Sequence, residues 1–211
     1  MLKLYDFYRS SACFRVRIAL ALKKLPYETT TIHLVNQEQR SPGYLNLNPQ
    51  GLVPTLEAGD HHLTQSMAII EYLEEMHPTP ALLPKHPYER ALARAFAFTI
   101  TTDIHPLVTS RAVNHLKKDF HFDDNQALEW MNHWIHLGLA ALEKQIRMQA
   151  LSGDFCYGNQ PTLADLCLIP QLYHARRFAC DLSDYPQLTR IEANCQKHPA
   201  FMHAWPLESV T

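Results

Sequence analysis

The 211-residue chain carries 19 Lys and Arg against 21 Asp and Glu, a formal net charge of −2. That length allows one large domain or two small ones, each with a buried core. The near-neutral balance, with no Lys/Arg-rich block, excludes the electrostatic footprint of a nucleic-acid binder. No apolar run reaches membrane-span length, since Ile18–Leu22 stops at Lys23-Lys24. The start has no signal-peptide layout, because Leu2-Lys3-Leu4-Tyr5 enters a strand at once. Five cysteines, Cys13, Cys156, Cys167, Cys180 and Cys195, are odd in number and lack C-x-x-C spacing. They fit a reduced, cytoplasmic protein better than a disulfide framework or a zinc ribbon.

In chain order, Leu2–Phe7 reads as a strand with Leu2 and Leu4 on one face. Ser11–Lys24 reads as a helix that is apolar nearly all round, hence well buried. The junction between them holds Arg9, Ser10 and Ser11. A helix start leaves backbone N–H groups unpaired and carries partial positive charge, which suits an anion or a thiolate. Pro26 forces a turn into a β-branched strand over 27–35. Residues 41–51, rich in Pro, Gly and Asn, read as a loop with one short helical turn. A hairpin follows, Thr55–Glu57 and His62–Thr64 around Gly59-Asp60, and then a helix over 66–76 stopped by Pro78.

Four prolines between Pro78 and Pro87 read as a linker. Beyond it, helical spacing covers Tyr88–Val113, Asn125–Ala150, Thr162–Phe178 and Pro186–Lys197, with Thr162 and Asp165 set as a capping box. The expected architecture is an α/β domain over 1–80 and an all-α domain over 87–211.

This order, with Val53-Pro54 opening a strand and Gln65-Ser66 opening a helix, resembles the cytosolic glutathione transferases. The double serine before "RVRIALALK", together with "NPQGLVPTL", "LTQSMAIIEYLEE", "DIHPL", "TLADLCLIPQ" and "RRFACDL", is similar specifically to the zeta class. The resemblance implies an N-terminal thioredoxin-like domain, a C-terminal helical domain, a homodimer and a cis Val53–Pro54 bond. It also implies glutathione as cofactor and a small dicarboxylate as substrate. The implied reaction is cis–trans isomerisation of maleylacetoacetate to fumarylacetoacetate. The alternatives are maleylpyruvate as substrate, or transferase and dehalogenase chemistry on small α-halo acids. A binding module without catalysis would be expected to lose the serine and Gln-Ser features.

Carried onto this sequence, the resemblance makes Ser10 the first candidate and Ser11 the second for stabilising the glutathione thiolate. A serine at a helix start is also a favoured N-cap, so with two, one can cap while the other acts. Gln65 and Ser66 would take the γ-glutamyl carboxylate, while Gln50 and the Val53 backbone would hold the peptide. Asp103 and His105 would complete the glutathione contacts. Arg9 and Arg177 would clamp substrate carboxylates. Arg176 is the neighbour to be distinguished from Arg177, and Arg111 is a third cation that points either to substrate or outward. Arg15 and Arg17 read as structural. Many zeta sequences place a cysteine directly after the serines, where this chain has Ala12. Cys13, one place later, is turned about 100° away on a helix and reads as packing. Glu129, His133 and His136 share a helical face, but no second cluster completes a site, so no metal is expected.

Overall fold

The computed structural model describes residues 1–149 and 152–206. They form two compact units, Met1–Leu82 with the segment from His198 on, and Leu83–Lys197. The first unit runs β1 (Leu2–Asp6), α1 (Ser11–Leu22), β2 (Tyr27–Thr31), α2 (Pro42–Leu47), β3 (Thr55–Ala58), β4 (His61–Thr64) and α3 (Ser66–Met76). Its sheet order is β2-β1-β3-β4, with β1 parallel to β2 and antiparallel to β3, and β3 antiparallel to β4. This is a thioredoxin-like arrangement. The β2 strand ends at Thr31 rather than continuing to Val35 because its partner ends there, Asp6 facing Thr31.

The apolar circumference of α1 has a physical use, since Phe14, Val16, Ile18, Ala19 and Leu20 are all fully buried. It packs with α3, whose Ile69, Ile70 and Leu73 are also buried, and with the C-terminal helix α10 (Pro199–Ala204), after which Trp205 meets Phe14 edge-on at 5.5 Å. Arg17 fastens the same end of the chain, its Nε donating to the Ala204 carbonyl at 3.1 Å. The expected boundaries of 1–80 and 87–211 are therefore corrected. The chain returns to the first unit at His198 because the residues that hold it lie on α1.

α1 stops at Leu22, and Lys24 turns left-handed at φ 54°. Lys23 is buried, with Nζ 2.8 Å from Glu74 Oε2, 2.5 Å from the His77 carbonyl and 3.0 Å from that of Pro80. Glu74 also accepts from the Leu82 N–H. The first half of the proline-rich stretch is thus pinned to its own unit.

The second unit comprises α4 (Pro87–Phe98), a π-helical segment (Thr99–Ile104), α5 (His105–Val108), α6 (Ser110–Asp119), α7 (Asp124–Met148), α8 (Leu163–Arg177) and α9 (Pro186–Cys195). The continuous helix expected over Tyr88–Val113 is broken. Pro106 has no N–H and its ring crowds the carbonyl four residues back, so the coil widens before it. Thr109 is extended (ψ 152°) and caps α6 instead, its Oγ1 accepting from the Ala112 N–H at 3.4 Å. The expected end of the α7 helix, Ala150, lies outside the described residues.

Along α7 the buried Met131, Ile135, Leu139, Leu142 and Ile146 recur at helical spacing. The α8 helix is buried from Leu163 to Leu172. The expected capping box is present, Asp165 Oδ2 accepting from the Thr162 N–H at 2.8 Å and from its hydroxyl at 3.0 Å. Its Oδ1 accepts from the Cys156 N–H at 2.9 Å. Burial pushes the Asp165 carboxyl above its usual range, and these donors pull the other way.

Gly138 of α7 marks a close approach. A Cβ there would fall 2.3 Å from the buried Ile104 side chain, at the end of the π-helical segment. Gly138→Ala is expected to overpack this contact and lower stability by about 1–3 kcal/mol, despite alanine's better helix propensity. Urea unfolding checks this, and a stabilised variant would show that the π-helical segment yields freely.

Candidate active site

Ser10 stands at the junction of β1 and α1 in extended conformation (φ −72°, ψ 118°), and its Oγ accepts from the Cys13 N–H at 3.2 Å. It is therefore the N-cap of α1, while Ser11 is the first helical residue and is buried. The half-buried Ser10 hydroxyl keeps its own proton after accepting from Cys13, so it can donate to an anion in front of the helix. The capping bond and a hydroxyl still able to donate thus fall on the same serine, Ser10. The backbone N–H groups of the first helical turn add to the same field.

Arg9 is exposed, its guanidinium 5.0 Å from the Tyr8 ring centroid, and it forms no ion pair among the described residues. The loop that carries it is braced from below. Arg17 Nη2 donates to the Tyr8 carbonyl at 3.1 Å and Nη1 to Asp6 at 2.7 Å. Arg17 is thus structural, as its position on the helix suggests. Cys13 has no exposed surface, and burial, with Asp6 adding to it, pushes its thiol well above the usual range. A neutral, enclosed thiol is packing. Cys13→Ala is expected to keep turnover within about twofold while lowering stability by about 1–2 kcal/mol. A large loss of turnover in a folded variant would return Cys13 to the chemistry.

The loop before β3 is held by the Leu52 carbonyl, which accepts from Tyr44 OH and from Asn48 Nδ2, both at 2.7 Å. Tyr44 also pairs with Thr55 Oγ1 at 2.9 Å, and burial lifts its hydroxyl to about 12, so it remains a donor at any physiological pH. Asn48 Oδ1 accepts from the Gln50 N–H at 3.1 Å. Gly51 sits at φ 59°, where a Cβ would lie 2.9 Å from the Gln39 carbonyl, so glycine is required on both counts. These contacts fix the backbone that leads into Val53, and the Val53–Pro54 bond is cis.

Gln65 donates through Nε2 to Gln50 Oε1 at 2.8 Å, so two of the expected glutathione contacts already meet. Gln65 is the N-cap of α3 in a strained conformation (φ 68°, ψ 115°). Such strain costs on the order of 1–3 kcal/mol and clusters at ligand clamps. Ser66 is the first residue of α3, is buried, and accepts at Oγ from Arg15 Nη1 at 3.3 Å. The starts of α1 and α3, each with a serine hydroxyl, are thus suited to two anionic groups of one peptide.

In the second unit, Asp103 is exposed in the π-helical segment and accepts from the Thr102 hydroxyl at 2.8 Å. His105 opens α5 and is half-buried. The two arginines that end α8 separate cleanly. Arg176 is taken up by Glu192 of α9, with N–O distances of 2.5 and 3.2 Å. Arg177 is exposed beside the Tyr173 and Phe178 rings, in no ion pair among the described residues. Arg111 is exposed on α6. His136 Nδ1 lies 2.7 Å from Tyr185 OH and its Nε2 3.3 Å from Cys180 Sγ, so its ring is engaged within its own unit. Among the described residues no group of three or more His, Cys, Asp or Glu could hold a metal. Nor is any helix among them long and apolar enough to cross a membrane.

Fold and site together describe a thioredoxin-like unit with helix starts suited to anions, followed in the chain by an all-helical unit. Comparison with known proteins agrees. Residues 1–75 match the glutathione S-transferase N-terminal domain and residues 131–199 the C-terminal domain. The maleylacetoacetate isomerase of Pseudomonas aeruginosa is 46% identical over 208 residues, covering 97% of this chain and 96% of that protein. A holo structure of maleyl pyruvate isomerase, described as a bacterial zeta-class glutathione S-transferase, superposes with a TM-score of 0.95 at 43% identity, covering 97% and 96% of the two chains. A maleylacetoacetate isomerase from Methylobacterium extorquens, solved with malonate and glutathione bound, gives 0.94 at 39% identity with the same coverage. The chain belongs to the glutathione S-transferase family and, within it, to the zeta class.

Proposed function

We propose that the chain is a glutathione-dependent cis–trans isomerase that converts maleylacetoacetate to fumarylacetoacetate. The observation that carries this reading is the Ser10 hydroxyl, held by its own capping bond at the start of α1, in the unit that also presents the Gln65-Ser66 helix start. The residues fit glutathione, since the strained Gln65, the Gln50 side chain bonded to it and the fixed Val53 backbone form a ready-made cradle. Bound glutathione supplies a thiolate that adds to the conjugated cis double bond, allows rotation about the resulting single bond, and is expelled unchanged to leave the trans product.

The roles follow from the chemistry each residue can perform. Ser10 donates its proton in a charge-assisted hydrogen bond to the thiolate and, with the α1 dipole, lowers the cost of forming it at neutral pH. Ser11, buried behind it, supports the same turn. Gln65 and Ser66 receive the γ-glutamyl carboxylate, and Gln50 and the Val53 backbone hold the peptide. Asp103 and His105 are the remaining candidates for polar contacts to glutathione, Asp103 as partner for the amine. Arg9 and Arg177 grip substrate carboxylates, for which a planar guanidinium is the matched donor. Arg177 is favoured over Arg176 because Glu192 already occupies the latter. The N–H groups of the first turn of α1 stabilise the negative charge that builds on the substrate's carbonyl oxygen during addition. The working form is a cytoplasmic homodimer, supported by the family and by five cysteines in the reduced state.

A second reading, maleylpyruvate as substrate, is favoured by the maleyl pyruvate isomerase structure at a TM-score of 0.95. Comparing kcat/KM for the two substrates separates them. The first reading expects at least about tenfold preference for maleylacetoacetate, of the order a few buried contacts provide. A preference of that size for maleylpyruvate selects the second.

A further inference from the structure

The first turns of α1 carry a second buried arginine whose use differs from that of Arg17. Arg15 is 2% exposed, on a helix whose neighbouring positions Cys13, Phe14 and Val16 have no exposed surface. Taking a guanidinium out of water costs several kcal/mol unless its donors are used, so this residue is there for a reason other than filling space. Arg17 uses its donors on Asp6, the Tyr8 carbonyl and the Ala204 carbonyl, all of which fix the chain path. Arg15 instead sends Nη1 to a side-chain hydroxyl, Ser66 Oγ, at 3.3 Å.

That bond determines what the hydroxyl can do. A serine hydroxyl has one proton and two acceptor positions. With one acceptor position filled by Arg15, the Ser66 proton is left to donate to another group at the start of α3, where the backbone N–H groups of the first turn also point. Gln65, immediately before, is held at φ 68°, a backbone cost that a bound ligand accounts for.

We propose that Arg15 is a positioning residue for carboxylate recognition. It orients the Ser66 hydroxyl as a donor at the start of α3, so that the γ-glutamyl α-carboxylate of glutathione is held there. This rests on the reading that places that carboxylate at Gln65 and Ser66. Arg15 does not touch the ligand and acts through Ser66.

The test is equilibrium binding, by calorimetry, of glutathione and of its decarboxylated analogue 4-aminobutyryl-Cys-Gly. The proteins are the wild type, Arg15→Met, Arg15→Lys, Ser66→Ala and the double variant Arg15→Met/Ser66→Ala. Wild-type protein should bind glutathione at least tenfold more tightly than the analogue. Equal binding of the two by wild-type protein overturns the placement of the carboxylate itself. Given that preference, Arg15→Met should weaken glutathione about 10- to 100-fold, the range of a charge-assisted hydrogen bond. The analogue's affinity should stay within twofold, as should kcat at saturating glutathione. Arg15→Lys, which keeps charge but loses the fork, should lose about three- to tenfold for glutathione alone, and it decides the matter if the Met variant does not fold. The double variant should bind glutathione no more weakly than Ser66→Ala by more than twofold, because Arg15 works through that hydroxyl. Equal loss for both ligands, no loss for either, or fully additive losses would each show that Arg15 is only a packing residue.

Discussion

Replacing Ser10 by Ala is expected to lower kcat/KM for isomerisation about 100- to 1000-fold, the loss that follows removal of one donor to a critical anion. The same substitution removes the α1 cap, so it should also lower stability by about 1 kcal/mol. The two effects separate in Ser10→Asp, since an aspartate side chain caps a helix start well but, being acceptor-only when ionised, brings no donor. Stability should recover in that variant while turnover stays low. The bound thiol reports the same thing directly, because thiolate absorbs in the ultraviolet and the thiol does not. In both variants the titration of enzyme-bound glutathione should move back toward the ordinary thiol value of about 8.5. Full turnover in Ser10→Ala would transfer the role to Ser11 or to the backbone donors of the first turn.

Asp165→Ala is expected to have the largest effect on folding. Its carboxylate serves the Thr162 N–H, the Thr162 hydroxyl and the Cys156 N–H, and it has no exposed surface. Removing it strands three buried donors, each worth about 1–3 kcal/mol when left unsatisfied. The summed loss, about 3–9 kcal/mol, is a large part of a domain's total stability of roughly 5–15 kcal/mol. Asp165→Asn should fall between the two, because its amide can accept from some of these donors but adds donors of its own. Denaturant unfolding monitored through tryptophan fluorescence measures this. A loss below about 1 kcal/mol would contradict the account of Asp165 as the anchor of α8.

Much of the first unit was legible because its signals are local. The β1 strand, α1, the hairpin around Gly59-Asp60 and α3 all lie within a residue or two of where periodicity and turn residues put them. The Thr162–Asp165 box was equally local and is present. What the sequence did not reveal depends on partners far along the chain. The return of α10 to the first unit rests on Arg17 and Ala204, 187 residues apart. The start of α9 has no capping side chain of its own, and Glu143 of α7 supplies it by accepting from the N–H groups of Gln187 and Leu188. The helix over Tyr88–Val113 was overextended because apolar spacing continues through Pro106, whereas the missing N–H forces a widened turn that spacing does not register.

Within the candidate site, the geometry tells apart residues that the family motifs leave alike. Two serines in sequence suggested one cap and one donor, yet Ser10 takes the capping position with its hydroxyl half-buried and Ser11 is enclosed. Arg176 and Arg177 are indistinguishable as letters, and only the Glu192 pair tells them apart. Arg15 looked structural because it sits a turn into α1. Its partner Ser66 is 51 residues away, a distance no local pattern can bridge.

The measurement that tests the central claim most directly is the ultraviolet change on converting maleylacetone, a stable analogue of the substrate, to its trans isomer, with and without added glutathione. The account predicts rapid conversion that depends on glutathione and leaves its concentration unchanged. Conversion at the same rate without glutathione, or none with it by folded protein, would contradict it.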